Sequence, residues 1–119
     1  MTVRDLIGAA DAGDTDFQRL VNAFVDAFRG AERVAQRAMI AAGPQRCGKR
    51  EGLVAAVVSA LCREVGVEAP PWVRDTYSPK PFFAFPARGF ALRLRLMLES
   101  PPAFRARNVF VPENYLARA

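Results

Sequence analysis

Apolar residues recur every three or four positions through the first half of this chain, and that period predicts helices. Thr2 and Asp5 form a capping-box pattern, with Asp in the usual Glu/Gln role, opening a short helix that runs out near Gly13. Asp14, Thr15 and Asp16 then cap the clearest helix. Phe17, Leu20, Val21, Phe24 and Phe28 share one face, Arg19, Asp26 and Arg29 face outward, and Gly30 is a natural stop. A third helix is predicted over 31–42, with Val34, Ala38, Met39 and Ile40 inward, until Gly43-Pro44 breaks it. Beyond a loop over 43–49, a fourth helix over 50–65 places Leu53, Val54, Val57, Val58, Leu61 and Val65 on one side. That stripe is wide and Ala-filled, as a central helix would be; Gly66 ends it.

The texture changes at Glu68. Pro71 suits the first turn of a short helix that carries Trp72. A loop rich in Tyr77, Pro79, Pro81, Phe82, Phe83, Phe85 and Pro86 follows, and so many aromatics must pack onto the helices or onto a partner. A fifth helix is predicted over 87–99, through Phe90, Leu92, Leu94, Leu96, Met97 and Leu98, with Arg88, Arg93 and Arg95 on it. Pro101-Pro102 ends it. A turn then holds Phe104, residues 108–111 are a candidate extended segment, and 112–116 a last helical turn. Phe104, Phe110 and Leu116 read as plugs that anchor this end-piece to the core.

The predicted fold class is therefore all-α. One domain spans 1–119: a short N-terminal helix (1–13), a helical core (14–66), a Pro/aromatic loop (67–86), and a helix with a wrapped tail (87–119). Four main helices, a short extra helix and an aromatic/proline tail make up this bundle. A chain of 119 residues with 51% hydrophobic positions has enough material for one core. No apolar run reaches membrane-spanning length, and the N-terminus, with Asp5 and no hydrophobic segment after a basic start, does not read as a signal peptide. A cytoplasmic protein without membrane association is expected.

Charge narrows function further. The net charge of +5 comes from fifteen Arg against two Lys, Lys49 and Lys80, and these cations are scattered among acids. Scattering favours a solvated surface over a dedicated nucleic-acid stripe. The chain has no histidine, which removes the commonest general base and the commonest zinc ligand. Cys47 and Cys62 cannot alone make a structural zinc site. Cys62 reads as a buried small hydrophobe, and Cys47 as a loop residue that could react.

Three motifs stand out against this background. Gly43-Pro-Gln-Arg-Cys-Gly48-Lys49-Arg50 comes close to a phosphate-binding loop, but Arg50 stands where a Ser/Thr must ligate magnesium, and a helix rather than a strand precedes it. A helix-turn-helix is disfavoured because residues 52–61 are nearly all apolar and offer little to read bases. Asp11, Asp14 and Asp16 cluster at a helix start, where acids favour the dipole without catalytic work. No catalytic, cofactor-binding or metal-ligating residue emerges, and the expectation is a non-enzymatic protein. The residues with binding character are Tyr77, Phe82, Phe83, Phe85, Arg88, Arg93, Arg105 and Arg107. Aromatic and Arg side chains are the usual energetic centres of protein contacts. Arginine beside aromatics also suits nucleic acid, the alternative partner. A homodimer is compatible with either reading.

Arg19-Leu-Val-Asn-Ala-Phe24, residues 53–61, Pro70-Pro-Trp-Val-Arg74 and above all residues 94–116 resemble a group of actinobacterial helical proteins and domains. Some members stand alone and others follow a helix-turn-helix domain; they are often encoded beside nucleotidyltransferase-like toxins. The resemblance covers roughly 14–119. It implies an antitoxin-like or regulatory partner protein and supplies no catalytic residues. No counterpart of the longer members' DNA-binding segment is expected within these 119 residues.

Overall fold

The computed structural model describes residues 1–13, 16–84 and 89–117. The chain runs α1 (Val3–Ala12), α2 (Phe17–Gly30), α3 (Arg33–Ile40), α4 (Lys49–Val65), α5 (Pro71–Asp75), β1 (Phe82–Phe83), α6 (Phe90–Glu99), α7 (Pro102–Arg105) and β2 (Val109–Phe110). It is mostly helical, with two short strands besides.

Local chemistry sets the early boundaries. Both halves of the Thr2/Asp5 capping box are formed: Asp5 N–H donates to Thr2 Oγ1 at 3.1 Å, and Thr2 N–H donates to Asp5 Oδ2 at 2.9 Å. Those hydrogen bonds hold the Asp5 carboxyl below its ordinary pKa. Gly13 closes α1 in the left-handed region, at φ 76°, where a side chain would be strained. Asp16 caps α2 through Gln18 N–H; Asp14 and Thr15, also expected in that cap, lie outside the described residues.

Helix α4 is the centre. Residues Leu53 to Val58, with Leu61 and Cys62, are buried, and α1, α2, α5, α7 and β2 all pack against it. Burial on every side explains why its apolar stripe is so wide. The Cα radius of gyration of 13.7 Å matches the ~13.5 Å expected of one compact domain of this length.

Helix α3 corrects the expected orientation. Val34 is 79% exposed and Ala38 is exposed, while Gln36, Met39 and Ile40 face inward. Those three follow an i, i+3, i+4 spacing that puts Val34 and Ala38 on the far side. The reason a polar residue takes the inner face is specific: Gln36 Nε2 donates to the Phe28 carbonyl at 2.9 Å, satisfying the end of α2.

The tail is an integral part of the core rather than a wrapping over a bundle. Phe104, Val109 and Val111 have no measurable exposure, and Phe110 is also buried. Residues 109–110 pair in parallel with β1, Phe82 opposite Val109 and Phe83 opposite Phe110. Phe82 N–H donates to Asn108 O at 3.0 Å and Ala84 N–H to Phe110 O at 3.1 Å. The helical expectation holds for most of the described residues; the two short strands are an addition to it, and they clamp the aromatic loop to the tail. Arg29 adds a second clamp: it donates to the Leu116 carbonyl at 2.9 Å while forming a two-point contact with Glu64.

Tyr115 closes the far end. Its ring meets Phe104 edge-on at 5.5 Å, and its hydroxyl donates to Gln18 Oε1 at 2.8 Å. Burial pushes its phenol pKa up to about 12 from 10.0. The folded state therefore holds this proton more tightly than the unfolded chain does. The contribution is intact below pH 10 and is lost as pH rises through 12. Denaturation midpoints measured across pH 9–12 should fall over that window in the native chain, and Tyr115→Phe should flatten the part of the fall that tyrosine causes.

A candidate protein-interaction face

Helix α6 does not join the core as the other long helices do. Among its residues Leu96 alone is buried. Leu96 forms a small cluster with Phe110 and the half-buried Phe83, whose ring lies 5.1 Å from that of Phe110. Ser100 ties down the C-terminal end: its Oγ accepts from Val111 N–H at 2.8 Å and donates to the Leu96 carbonyl at 2.5 Å. These contacts fix which side of the helix faces inward.

The opposite side is apolar. Phe90 is 80% exposed, Leu98 69% and Leu94 41%, with Met97, also 41% exposed, beside them; Leu92, 44% exposed, lies four residues before Leu96 and so on the inward side. A large side chain presents about 200 Å² when bare, so Phe90, Leu94, Met97 and Leu98 leave roughly 450 Å² of apolar surface, the size of the largest patch on a typical monomer and one that is often functional. Apolar surface of this extent on one ten-residue helix sets α6 apart from the other long helices of the described residues. Because Leu98 faces solvent, Leu98→Asp is expected to change unfolding free energy by less than about 0.5 kcal/mol in urea titration. A large loss would place Leu98 in the core instead.

The residues expected to bind fall into three places. Phe83 and Arg93 meet at α6, the guanidinium standing 5.4 Å from the ring centroid. Tyr77 and Phe82 lie elsewhere, at the start of α4. Tyr77 is exposed, its carbonyl accepts from Gly48 N–H at 3.3 Å, and Phe82 packs on the main core with Lys49 at 5.9 Å from its ring. Arg105 and Arg107 sit at and just beyond the end of α7. Arg105 is exposed, while Arg107 is half-buried, donating to Val73 O at 3.1 Å and Ala103 O at 2.8 Å. Desolvation lowers the Arg107 pKa, and the internal carbonyls it serves give it a structural role. Phe85 and Arg88 lie outside the described residues.

Other arginines are likewise engaged within the fold. Arg46 reaches Asp11 at 2.6 Å and Glu51 at 3.2 Å, Arg33 donates to Val65 O at 2.9 Å, and Arg50 stands over Phe17. Part of the basic composition is thus used to satisfy carbonyls and carboxylates of the chain itself. Lys49 and Lys80 share an open cleft of about 500 Å³ with Ser78, Pro79, Pro81 and Phe82. Among the described residues no group of three His, Cys, Asp or Glu side chains is placed to hold a metal, and no helix is long and apolar enough to cross a membrane.

Residues 41–48 connect α3 to α4, so the expected loop over 43–49 ends one residue earlier, with Lys49 opening α4. Trp72 closes over Gly43, its indole donating to Ile40 O at 2.8 Å, and a Cβ on Gly43 would fall 2.1 Å from the ring. Cys47 is exposed and Cys62 buried; both are free thiols, and burial pushes the Cys62 thiol pKa up.

Sequence reasoning missed Phe90, Leu94, Met97 and Leu98 as surface residues. The signal was present in Leu92-Arg-Leu-Arg-Leu96, an every-second-residue alternation that cannot gather on one side of a helix. Fold and site together define a small helical protein with an uncovered apolar helix. The chain matches no family model, no curated protein and no solved structure in comparison.

Proposed function

We propose that this chain is a non-enzymatic protein-interaction module, acting as an antitoxin-like partner of a nucleotidyltransferase-type toxin. The interaction half of the reading is carried by the uncovered face of α6, where Phe90, Leu94 and Leu98 stand in solvent. The toxin half rests on the resemblance of residues 19–24, 53–61, 70–74 and 94–116. A cytoplasmic setting belongs to the same reading, in keeping with the free thiols of Cys47 and Cys62.

The mechanism is occlusion. Apolar anchors on α6 are buried against the partner, and the fold holds them in place beforehand through Leu96, Phe110 and the Ser100–Val111 contact. Preorganisation of this kind lowers the entropy lost on association.

The test is capture on the immobilised chain from an actinobacterial lysate, with and without nuclease, for the native protein and Leu98→Asp. A nucleotidyltransferase-like protein retained in both nuclease arms and lost with Leu98→Asp is the expected result. Material that disappears on nuclease treatment would transfer the assignment to nucleic acid. Equal capture by the variant would remove α6 from the account.

A further inference from the structure

We infer that α6 receives an acidic amphipathic helix of the partner protein, an inference that rests on the interaction-module reading above. Phe90, Leu94 and Leu98 follow an i, i+4, i+8 spacing and form a single ridge along α6. A hollow lies on each side of it. One, of about 460 Å³, is lined by Pro81, Phe83, Phe90, Arg93, Leu94 and Met97. The other, of about 400 Å³, is lined by Ala91, Leu94, Arg95, Leu98 and Glu99. A ridge between two grooves is the complement of another helix, whose own side-chain rows seat in the hollows while the ridge seats between them.

Charge selects the kind of helix. Each hollow holds one arginine, Arg93 above the Phe83 ring and Arg95 on the other flank. Arg95 is 78% exposed at its side chain and lies 3.5 Å from Glu99, a half-buried carboxylate lining the same hollow, so the guanidinium projects beyond an i, i+4 partner that offsets part of its charge. An incoming helix with carboxylates along both borders would meet a guanidinium on each side, and such complementarity sets partner choice. A second copy of this chain fits less well. The two-fold antiparallel pairing that sets Phe90 against Leu98 of a second copy is centred on Leu94, and it brings Arg95 close to the same arginine of that copy. A lipid surface would also take up an apolar ridge flanked by arginines, and the vesicle arm below separates that outcome from a helix.

The experiment uses two labelled synthetic helical peptides of about four turns, with the same leucine stripe, one bordered by Glu and one by Lys. Binding to the full chain is read by fluorescence anisotropy. Anionic phosphatidylserine vesicles and sedimentation of the chain alone form parallel arms. The Glu-bordered peptide should bind about tenfold or more tighter than the Lys-bordered one, with a preference that shrinks as salt rises. Leu98→Asp should abolish binding, and Arg95→Glu, with its fold checked by circular dichroism, should narrow or invert the preference. Equal binding of the two peptides, or binding of neither, overturns the inference. Vesicle binding or dimerisation that depends on Leu98, without a peptide preference, overturns it in favour of lipid or a second copy. Lysate capture that succeeds while the peptides show no preference leaves the module reading in place and removes the acidic helix alone.

Discussion

Phe104→Ala should remove about 4 kcal/mol of folding free energy, the range found when a fully buried phenylalanine is emptied from a core. Phe104 has no exposed surface. It sits on α7, which packs against α4, and its ring meets Tyr115 edge-on. The cavity would lie between the central helix and the tail, so the whole end-piece from Pro101 onward should loosen with it. Small domains hold only about 5–15 kcal/mol in total, which leaves the variant marginal. Urea denaturation with circular dichroism checks this. A loss below about 1 kcal/mol would show that the tail is peripheral and that the core closes without it.

Gly52→Ala should cost about 2–4 kcal/mol, although alanine is the better helix former by about 1 kcal/mol. A Cβ at position 52 would lie 2.6 Å from Ser78 N and 2.9 Å from the Tyr77 carbonyl carbon. Both are backbone atoms, and neither can swing aside. The loop they belong to is held by Ser78 N–H to Arg107 O at 3.0 Å and by Asn108 Nδ2 to Ser78 O at 3.1 Å. Admitting a methyl group means breaking those bonds, each worth roughly 0.5–1.5 kcal/mol net. Gly8, with open space around its missing side chain, is the control. Gly8→Ala should be neutral or stabilising by up to about 1 kcal/mol. Equal stability of Gly52→Ala and the native chain would mean that the crossing of 76–80 over α4 is wrong.

How much of this was legible in the sequence depends on whether local chemistry or distant packing decides each feature. The Thr2/Asp5 box, the Phe17-to-Phe28 stripe and the apolar breadth of α4 follow from spacing alone, and the helices lie close to where spacing puts them. Val34 was misplaced because a valine outranks a glutamine on any hydrophobic scale, whereas Gln36 goes inward to serve the Phe28 carbonyl. The parallel pairing of 82–83 with 109–110 depends on hydrogen bonds between residues far apart in the chain, and no pattern within two residues announces it.

For the candidate site, residue type pointed to Phe83 and Arg93, which do meet. It also pointed to Arg107, which donates to two internal carbonyls. Phe90, Leu94 and Leu98 escaped because apolar residues stand on both sides of this helix, between Arg93, Arg95 and Glu99, so spacing alone does not say which side is covered. Only the packing of Leu96 onto Phe83 and Phe110 decides which side remains uncovered.

That uncovered side is the central claim, and amide hydrogen exchange tests it most directly. The chain would be compared alone and in complex with the protein it captures, read by mass spectrometry over peptides covering 89–100. Slowed exchange concentrated in α6 on complex formation is the predicted result. Protection that leaves α6 unchanged and falls instead around Lys49 and Lys80 would contradict the account and move the binding site to the cleft at the start of α4.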